Sequence, residues 1–231
     1  MSQESGVPTF RDAQTGLWSR YDPLELATPE AFARHPARVF GWYVSRWRAA
    51  RAAMPHAGHY ALAALESRIP SLTVVTQNVD GLHRRAGSTD VVELHGSLEV
   101  FRCSDCDRPF DPEKLLGREP SKEGEVDPPK CICGALVRPG VVWFGERLPV
   151  AALQRARDVV ERCDLLLVVG TSSLVYPAAG LPELAVARGT PVVEINSDPT
   201  PLTPRATITV EARAGAALPR LVERLAPMTV S

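Results

Sequence analysis

Short β-branched or apolar runs that each stop at a cluster of small and polar residues constrain this chain most. Leu72-Thr73-Val74-Val75 runs into Thr76-Gln77-Asn78-Val79-Asp80-Gly81-Leu82-His83, and Val91-Val92 into Glu93-Leu94-His95-Gly96-Ser97. Leu165-Leu166-Leu167-Val168-Val169 runs into Gly170-Thr171-Ser172-Ser173. Between these runs lie stretches with helical signals. Thr28-Pro29 is a cap followed by a first-turn proline, and Pro36 restarts a helix after His35. Further helices are expected at 57–68, 149–162, 178–188 and 215–226, with strands at 72–76, 90–94, 165–169, 191–195 and 206–210. A hairpin-like segment is expected at 98–102 and extended chain at 135–142. Alternation of this kind argues an α/β fold with a parallel sheet. The unbroken apolar run at 165–169 reads as a strand buried on both faces.

In such a sheet, ligands bind beyond the carboxyl ends of the strands. The polar clusters sit there, and the chain's two asparagines, Asn78 and Asn196, each follow a strand. Small residues at Gly170-Thr171-Ser172 let backbone amides approach a phosphate, and Asn196-Ser197-Asp198 can hold ribose hydroxyls. Histidine suits proton transfer near neutrality, and His95 is delivered close to the Gln77-Asn78-Asp80 loop. The fingerprint GxGxxG is absent, which argues against an ordinary dehydrogenase.

Residues 103–134 interrupt the alternation and are rich in proline, charge and cysteine. Cys103-x-x-Cys106 and Cys131-x-Cys133 offer four thiolates for one tetrahedral Zn²⁺. Four protein ligands leave no open position, so the ion is expected to be structural. Cys163, at the entry to a strand, reads as a packed core thiol. A zinc hydrolase or nucleobase deaminase would need H-x-E and P-C-x-x-C with an open metal position. Here Gly96-Ser97 follows His95 and Lys130 precedes Cys131, so that class is set aside.

A net charge of −1 gives no basic footprint for direct contact with nucleic acid. No apolar stretch is long enough to cross a bilayer, and none marks a signal peptide. A cytoplasmic setting is expected, where clustered cysteines mean metal or catalysis.

Ser5-Gly6-Val7-Pro8-Thr9-Phe10-Arg11, the segments 76–83 and 93–97, the cysteine quartet, Val142-Trp143-Phe144-Gly145-Glu146 and Gly170-Thr171-Ser172 occur in the order found in sirtuins. The chain resembles these NAD-dependent protein-lysine deacylases over essentially its whole length. The resemblance implies a Rossmann-like domain (1–20, 54–98 and 138–231) and a small domain built from a helical module (21–53) and a zinc-ribbon module (99–137). NAD⁺ and an acyl-lysine protein would meet in the cleft between them. By matching position, His95 is the general base acting through the nicotinamide ribose, and Asn78 and Asp80 line the nicotinamide pocket. Gln77 would contact ribose, and Phe10 and Arg11 would belong to a loop closing over NAD⁺. Gly170, Thr171, Ser172, Asn196, Ser197 and Asp198 would hold phosphate and adenosine ribose, with Ala214 by the adenine. Val142, Phe144, Gly145 and Glu146 match a strand that pairs with substrate backbone. In the implied reaction the acyl oxygen attacks ribose C1′ as nicotinamide leaves, and the products are free lysine and O-acyl-ADP-ribose.

Tyr43 and Arg46, three apart on one expected helix, match the Tyr-x-x-Arg of sirtuins that remove succinyl, malonyl and glutaryl groups. Ala27 matches the small residue that widens their acyl pocket. Sirtuins normally carry a strand and a Gly-Ala-Gly turn ahead of the segment that begins here at Ser5. On that comparison the strand and turn are expected to be missing, with weaker NAD⁺ binding, and an NAD- and zinc-binding scaffold with little turnover is the alternative to an enzyme.

Overall fold

The computed structural model describes residues 1–7, 22 and 26–225. Its two parallel sheets carry the ligand-facing loops, and a small antiparallel sheet carries the cysteines. In the first, β1 (Val74–Thr76) pairs with β2 (Val91–Glu93) in register Val74↔Val91. The antiparallel sheet has the order β4-β3-β5, with β3 Gly96–Cys103, β4 Pro109–Phe110 and β5 Val137–Val141. The second parallel sheet has the order β6-β7-β8, with β6 Leu166–Val169, β7 Val192–Asn196 and β8 Ile208–Glu211. A cavity of about 1990 Å³ lies between β1 and β6 and is lined by both strands.

The helices start where local chemistry dictates. Thr28 Oγ1 accepts the Ala31 N–H at 3.1 Å and Pro29 opens α1 (Pro29–Arg34). Pro36 opens α2 (Pro36–Ala52), which buries Val39, Phe40, Tyr43, Trp47 and Ala50 at helical spacing. Phe40 and Trp47 pack edge-on against Phe101 of β3, with ring centroids 5.8 and 6.1 Å away. Burying each such ring contributes roughly 1.5–3 kcal/mol, so this cluster secures α2 to the cysteine-bearing sheet. Gly41 permits the approach on the other flank, since a Cβ there would lie 2.2 Å from the Gly124 carbonyl oxygen.

A second pair of apolar clusters covers the parallel strands. Helices α5 (Val150–Arg162) and α6 (Gly180–Ala187) pack on one side, burying Ala156, Val160, Leu181 and Ala185 with Val92 and Val168. On the other side α3 (Ala57–Glu66) packs against α7 (Ala214–Arg224) through Leu62, Leu65, Leu218 and Val222. A short helix, α4 (Leu82–Arg85), follows the Asn78-Val79-Asp80 loop. Its Arg85 donates to the Ala50 carbonyl at 2.9 Å and to that of Ala53 at 2.7 Å, capping the end of α2.

Two expectations need correction. The run 165–169 is not buried on both faces: Val168 is buried, but its neighbours in β6 are half-buried and Leu165 is exposed. The reason is the cavity, which Leu165 to Val169 line. Cys163 is half-buried and also lines the cavity, with its thiol donating to the Val160 carbonyl at 3.3 Å.

Three histidines pack edge-on where α3 meets α4. The His56 and His59 rings lie 4.3 Å apart, and those of His59 and His83 4.9 Å. Burial, reinforced by the neighbouring imidazoles, pushes His59 down to about 3. Burial pushes His83 down to about 4, partly offset by Asp80. Both folded values lie below the unfolded imidazole's, so the folded chain binds fewer protons and loses stability as pH falls below about 6.5. Thermal unfolding should therefore show a lower Tm at pH 5 than at pH 7, and His83→Gln should flatten that slope. A Tm independent of pH over this window would contradict the assignment.

Candidate functional site

The loop after β1 and the turn after β2 meet at the mouth of the cavity. The Asn78 N–H donates to Thr76 Oγ1 at 3.0 Å, and the Leu82 N–H donates to Oδ1 of the buried Asp80 at 2.9 Å. These bonds fix the loop and aim Gln77, Asn78 and Asp80 into the cavity that His95 also lines. Gly96 is required beside His95. It has φ +72°, and a Cβ there would lie 2.1 Å from the Gly140 carbonyl oxygen.

His95 Nδ1 lies 3.0 Å from the Gln77 carbonyl oxygen. A carbonyl can only accept, so Nδ1 carries the proton and Nε2 keeps its lone pair. Burial lowers the pKa of His95, and the bond to Gln77 offsets part of that shift. The ring is thus an oriented, neutral base at neutral pH.

Across the cavity, β6 ends in a turn with Gly170 at φ +58° and Ser173 at φ +53°. Thr171 joins the two strand ends. Its hydroxyl accepts from Gln77 Nε2 at 3.3 Å, and its carbonyl accepts from Asn196 Nδ2 at 2.9 Å. Gly170, Thr171 and Ser172 line the same cavity as His95. Ser197 and Asp198 are exposed just beyond β7, with the Ser197 hydroxyl donating to Asp198 at 2.8 Å. Ala214 is elsewhere: it is buried where α7 meets α3, and its carbonyl faces Gly58. Phe10 and Arg11 lie outside the described residues.

The third wall is 142–146, and here the expected strand is a turn. β5 stops at Val141, Gly145 has φ +87°, and the Glu146 N–H closes back on the Trp143 carbonyl at 3.0 Å. The Val142 N–H donates to the His95 carbonyl at 2.8 Å, and that of Phe144 to the Ala27 carbonyl at 2.9 Å. This segment is therefore tied on one side to the histidine and on the other to the buried Ala27. Arg46 lines the cavity together with Val79, Val142 and Phe144, its guanidinium 5.2 Å from the centre of the Trp42 ring. Tyr43 does not reach the cavity. It is buried between Trp42 and Trp143, and burial pushes its phenol well above the usual range.

The four cysteine sulfurs all lie within 4.8 Å of one another. Cys103 and Cys133 are 3.4 Å apart, and Cys106 and Cys131 3.7 Å. A tetrahedron of Zn–S bonds of about 2.3 Å has edges of about 3.8 Å, so the quartet fits one zinc ion with no position left open. The N–H groups of Cys106 and Asp105 point at Cys103 Sγ and lower its thiol, which favours a thiolate there, while the close contact with Cys103 pushes the Cys133 thiol up. Metal analysis should find one zinc per chain. Cys103→Ala should cost several kcal/mol of stability, since zinc binding to such sites is worth about 10–16 kcal/mol. Unchanged melting and activity after complete zinc removal would refute a structural role.

These features define an α/β protein with a large cavity at the ends of its parallel strands, an oriented histidine lining it and a cysteine quartet able to hold zinc. The chain belongs to the Sir2 family, whose family model matches residues 1–177. It is 50% identical over 225 residues to an NAD-dependent protein deacylase of Mycobacterium leprae, spanning 97% of this chain and 94% of that one. To an NAD-dependent protein deacylase of Methylococcus capsulatus it is 51% identical over 228 residues, spanning 97% and 89%. Among solved structures, a Sir2 homologue in complex with NAD superposes with a TM-score of 0.88 at 48% identity, over 97% of this chain and 85% of that one. A mutant Sir2 homologue in complex with 2′-O-acetyl ADP ribose gives 0.87 at 47% identity, over 97% and 87%. Among the described residues, no helix is long and apolar enough to cross a membrane.

Proposed function

We propose that the chain is an NAD-dependent protein-lysine deacylase acting on acyl-lysine proteins in the cytoplasm, with dicarboxylic acyl groups among its substrates. The observation that carries this reading is His95, held by the Gln77 carbonyl at 3.0 Å with no partner for Nε2 among the described residues, in one cavity with the Gly170-Thr171-Ser172 turn and the 142–146 segment. When bound, NAD⁺ supplies an electrophilic ribose carbon and nicotinamide as its leaving group. The chain does the rest by position. Gln77, Asn78 and Asp80 form the floor at which nicotinamide and ribose would lie, and Gly170 to Ser172 offer backbone and hydroxyl groups to the phosphates. His95 Nε2 accepts a ribose hydroxyl proton. The acyl-lysine enters along 142–146, between Phe144 and the His95 side.

Turnover separates the enzyme from a scaffold. Purified zinc-loaded protein should release nicotinamide from NAD⁺ only when an acyl-lysine peptide is present. Peptide-independent release, or none, would overturn the deacylase reading.

A further inference from the structure

Arg138 is a buried cation to which the proposed chemistry assigns no task. It lies in β5 one residue after Val137, which pairs with the cysteine ligand Cys103. Its side chain is only 8% exposed, yet it faces the segment 142–146. Nη1 and Nη2 donate to the two carboxylate oxygens of Glu146 at 2.6 and 2.9 Å, and Nη2 also donates to the Val141 carbonyl at 3.2 Å. The guanidinium carbon sits 3.5 Å from the centre of the Trp143 ring. Glu146 in turn accepts the Trp143 N–H at 2.8 Å. One cation therefore ties the beginning, the aromatic centre and the end of the turn together.

That turn has two further anchors, both at the site. The Val142 N–H holds the His95 carbonyl, and the Phe144 N–H holds that of Ala27. The Trp143 ring packs on Phe32, with centroids 5.2 Å apart, and lies 6.1 Å from Tyr43. Thus the wall of the acyl-lysine entry depends on a fork-to-fork pair and a stacked plane, both largely screened from water. Lysine cannot reproduce this arrangement, because a point charge neither bridges both carboxylate oxygens nor lies flat on an indole. The turn after β6 belongs to a different strand and, among the described residues, shares no hydrogen bond or ring contact with this network.

We propose that Arg138 is a positioning residue for the acyl-lysine substrate: it fixes 142–146 through Glu146 and Trp143 without touching the substrate itself. The proposal rests on the deacylase reading above. It links the cysteine-bearing sheet to substrate binding and leaves the nucleotide side of the cleft independent.

The test is steady-state kinetics of the zinc-loaded protein with one acetyl-lysine peptide, varying peptide and NAD⁺ separately. Arg138→Met should raise the peptide KM by about tenfold or more while the NAD⁺ KM stays within about twofold. Arg138→Lys should fall between wild type and Arg138→Met. Glu146→Gln keeps the volume and the stacked guanidinium but removes the charge and one of the two acceptor oxygens that Arg138 and the Trp143 N–H use, so it carries the test if Arg138→Met does not fold. It should show the same split at smaller size. An unchanged peptide KM, or a parallel rise of both KM values, overturns the positioning role. A wild type that releases no nicotinamide overturns the deacylase reading and this proposal with it, whereas an active wild type with unaffected variants overturns only the latter.

Discussion

Replacing His95 with tyrosine is expected to lower deacylation by about a hundredfold to ten-thousandfold, the usual contribution of a positioned general base. The ring's value lies in its orientation: the Gln77 carbonyl fixes Nδ1 as the donor, so Nε2 is the only nitrogen that can take a proton. A phenol at this position has no basic lone pair near neutral pH. NAD⁺ affinity, measured by calorimetry, should persist, because the turn at Gly170 and the Asn78–Asp80 loop do not depend on the imidazole. The pH profile offers an independent check. Burial lowers the pKa of His95, with the Gln77 bond working against it, and the active form is the unprotonated one. Activity should therefore fall with acidification only below the ordinary imidazole value of about 6.5. Near-normal turnover of His95→Tyr, or an acid limb well above that value, would remove His95 from the role of base.

Much of this site was legible because its parts carry local signals. The cysteine pairs announce a ligand set by spacing alone, and the four sulfurs do converge. The polar clusters after β1, β2 and β6 lie where strand ends put them, around one cavity. Thr28-Pro29 and Pro36 mark helix starts that need no tertiary partner. What the sequence hides is depth and pairing across space. A continuous apolar run such as 165–169 does not say whether both faces are covered, and β6 faces the cavity. Residues three apart on a helix lie about 60° apart around its axis, so Tyr43 can be buried while Arg46 reaches the cavity. Arg138 and Glu146 look like two ordinary surface charges in a loop-rich stretch. Only the turn at Gly145 brings them together. The same turn replaces the strand expected at 142–146, since Glu146 satisfies the Trp143 N–H that a partner strand would otherwise take. The four-residue helix at Leu82–Arg85 is too short to show a period.

Acyl selectivity should follow from Arg46. A dicarboxylic acyl group carries its carboxylate into a partly dehydrated cavity, which is costly unless the charge is paired. Arg46 lines that cavity beside Val79, Val142 and Phe144, and the Trp42 ring beneath its guanidinium limits how far the side chain can swing away. A charge-assisted bond from it contributes about 1.5–3 kcal/mol. That corresponds to roughly ten- to a hundredfold in kcat/KM. The acetyl group has no carboxylate and gains nothing from this contact. Methionine can still pack over Trp42, so Arg46→Met removes the charge with little loss of packing. Desuccinylation should then fall by roughly ten- to a hundredfold while deacetylation stays nearly intact. Tyr43, whose hydroxyl is buried and has no hydrogen-bond partner among the described residues, enters differently. Its ring packs beside that of Trp143, with centroids 6.1 Å apart, so Tyr43→Phe should disturb both activities little. Succinyl- and acetyl-lysine versions of one peptide, assayed with wild type and Arg46→Met, decide the matter. If both activities fall together, Arg46 supports the fold and not the acyl group; if wild type ignores succinyl-lysine, the cavity is that of a plain deacetylase.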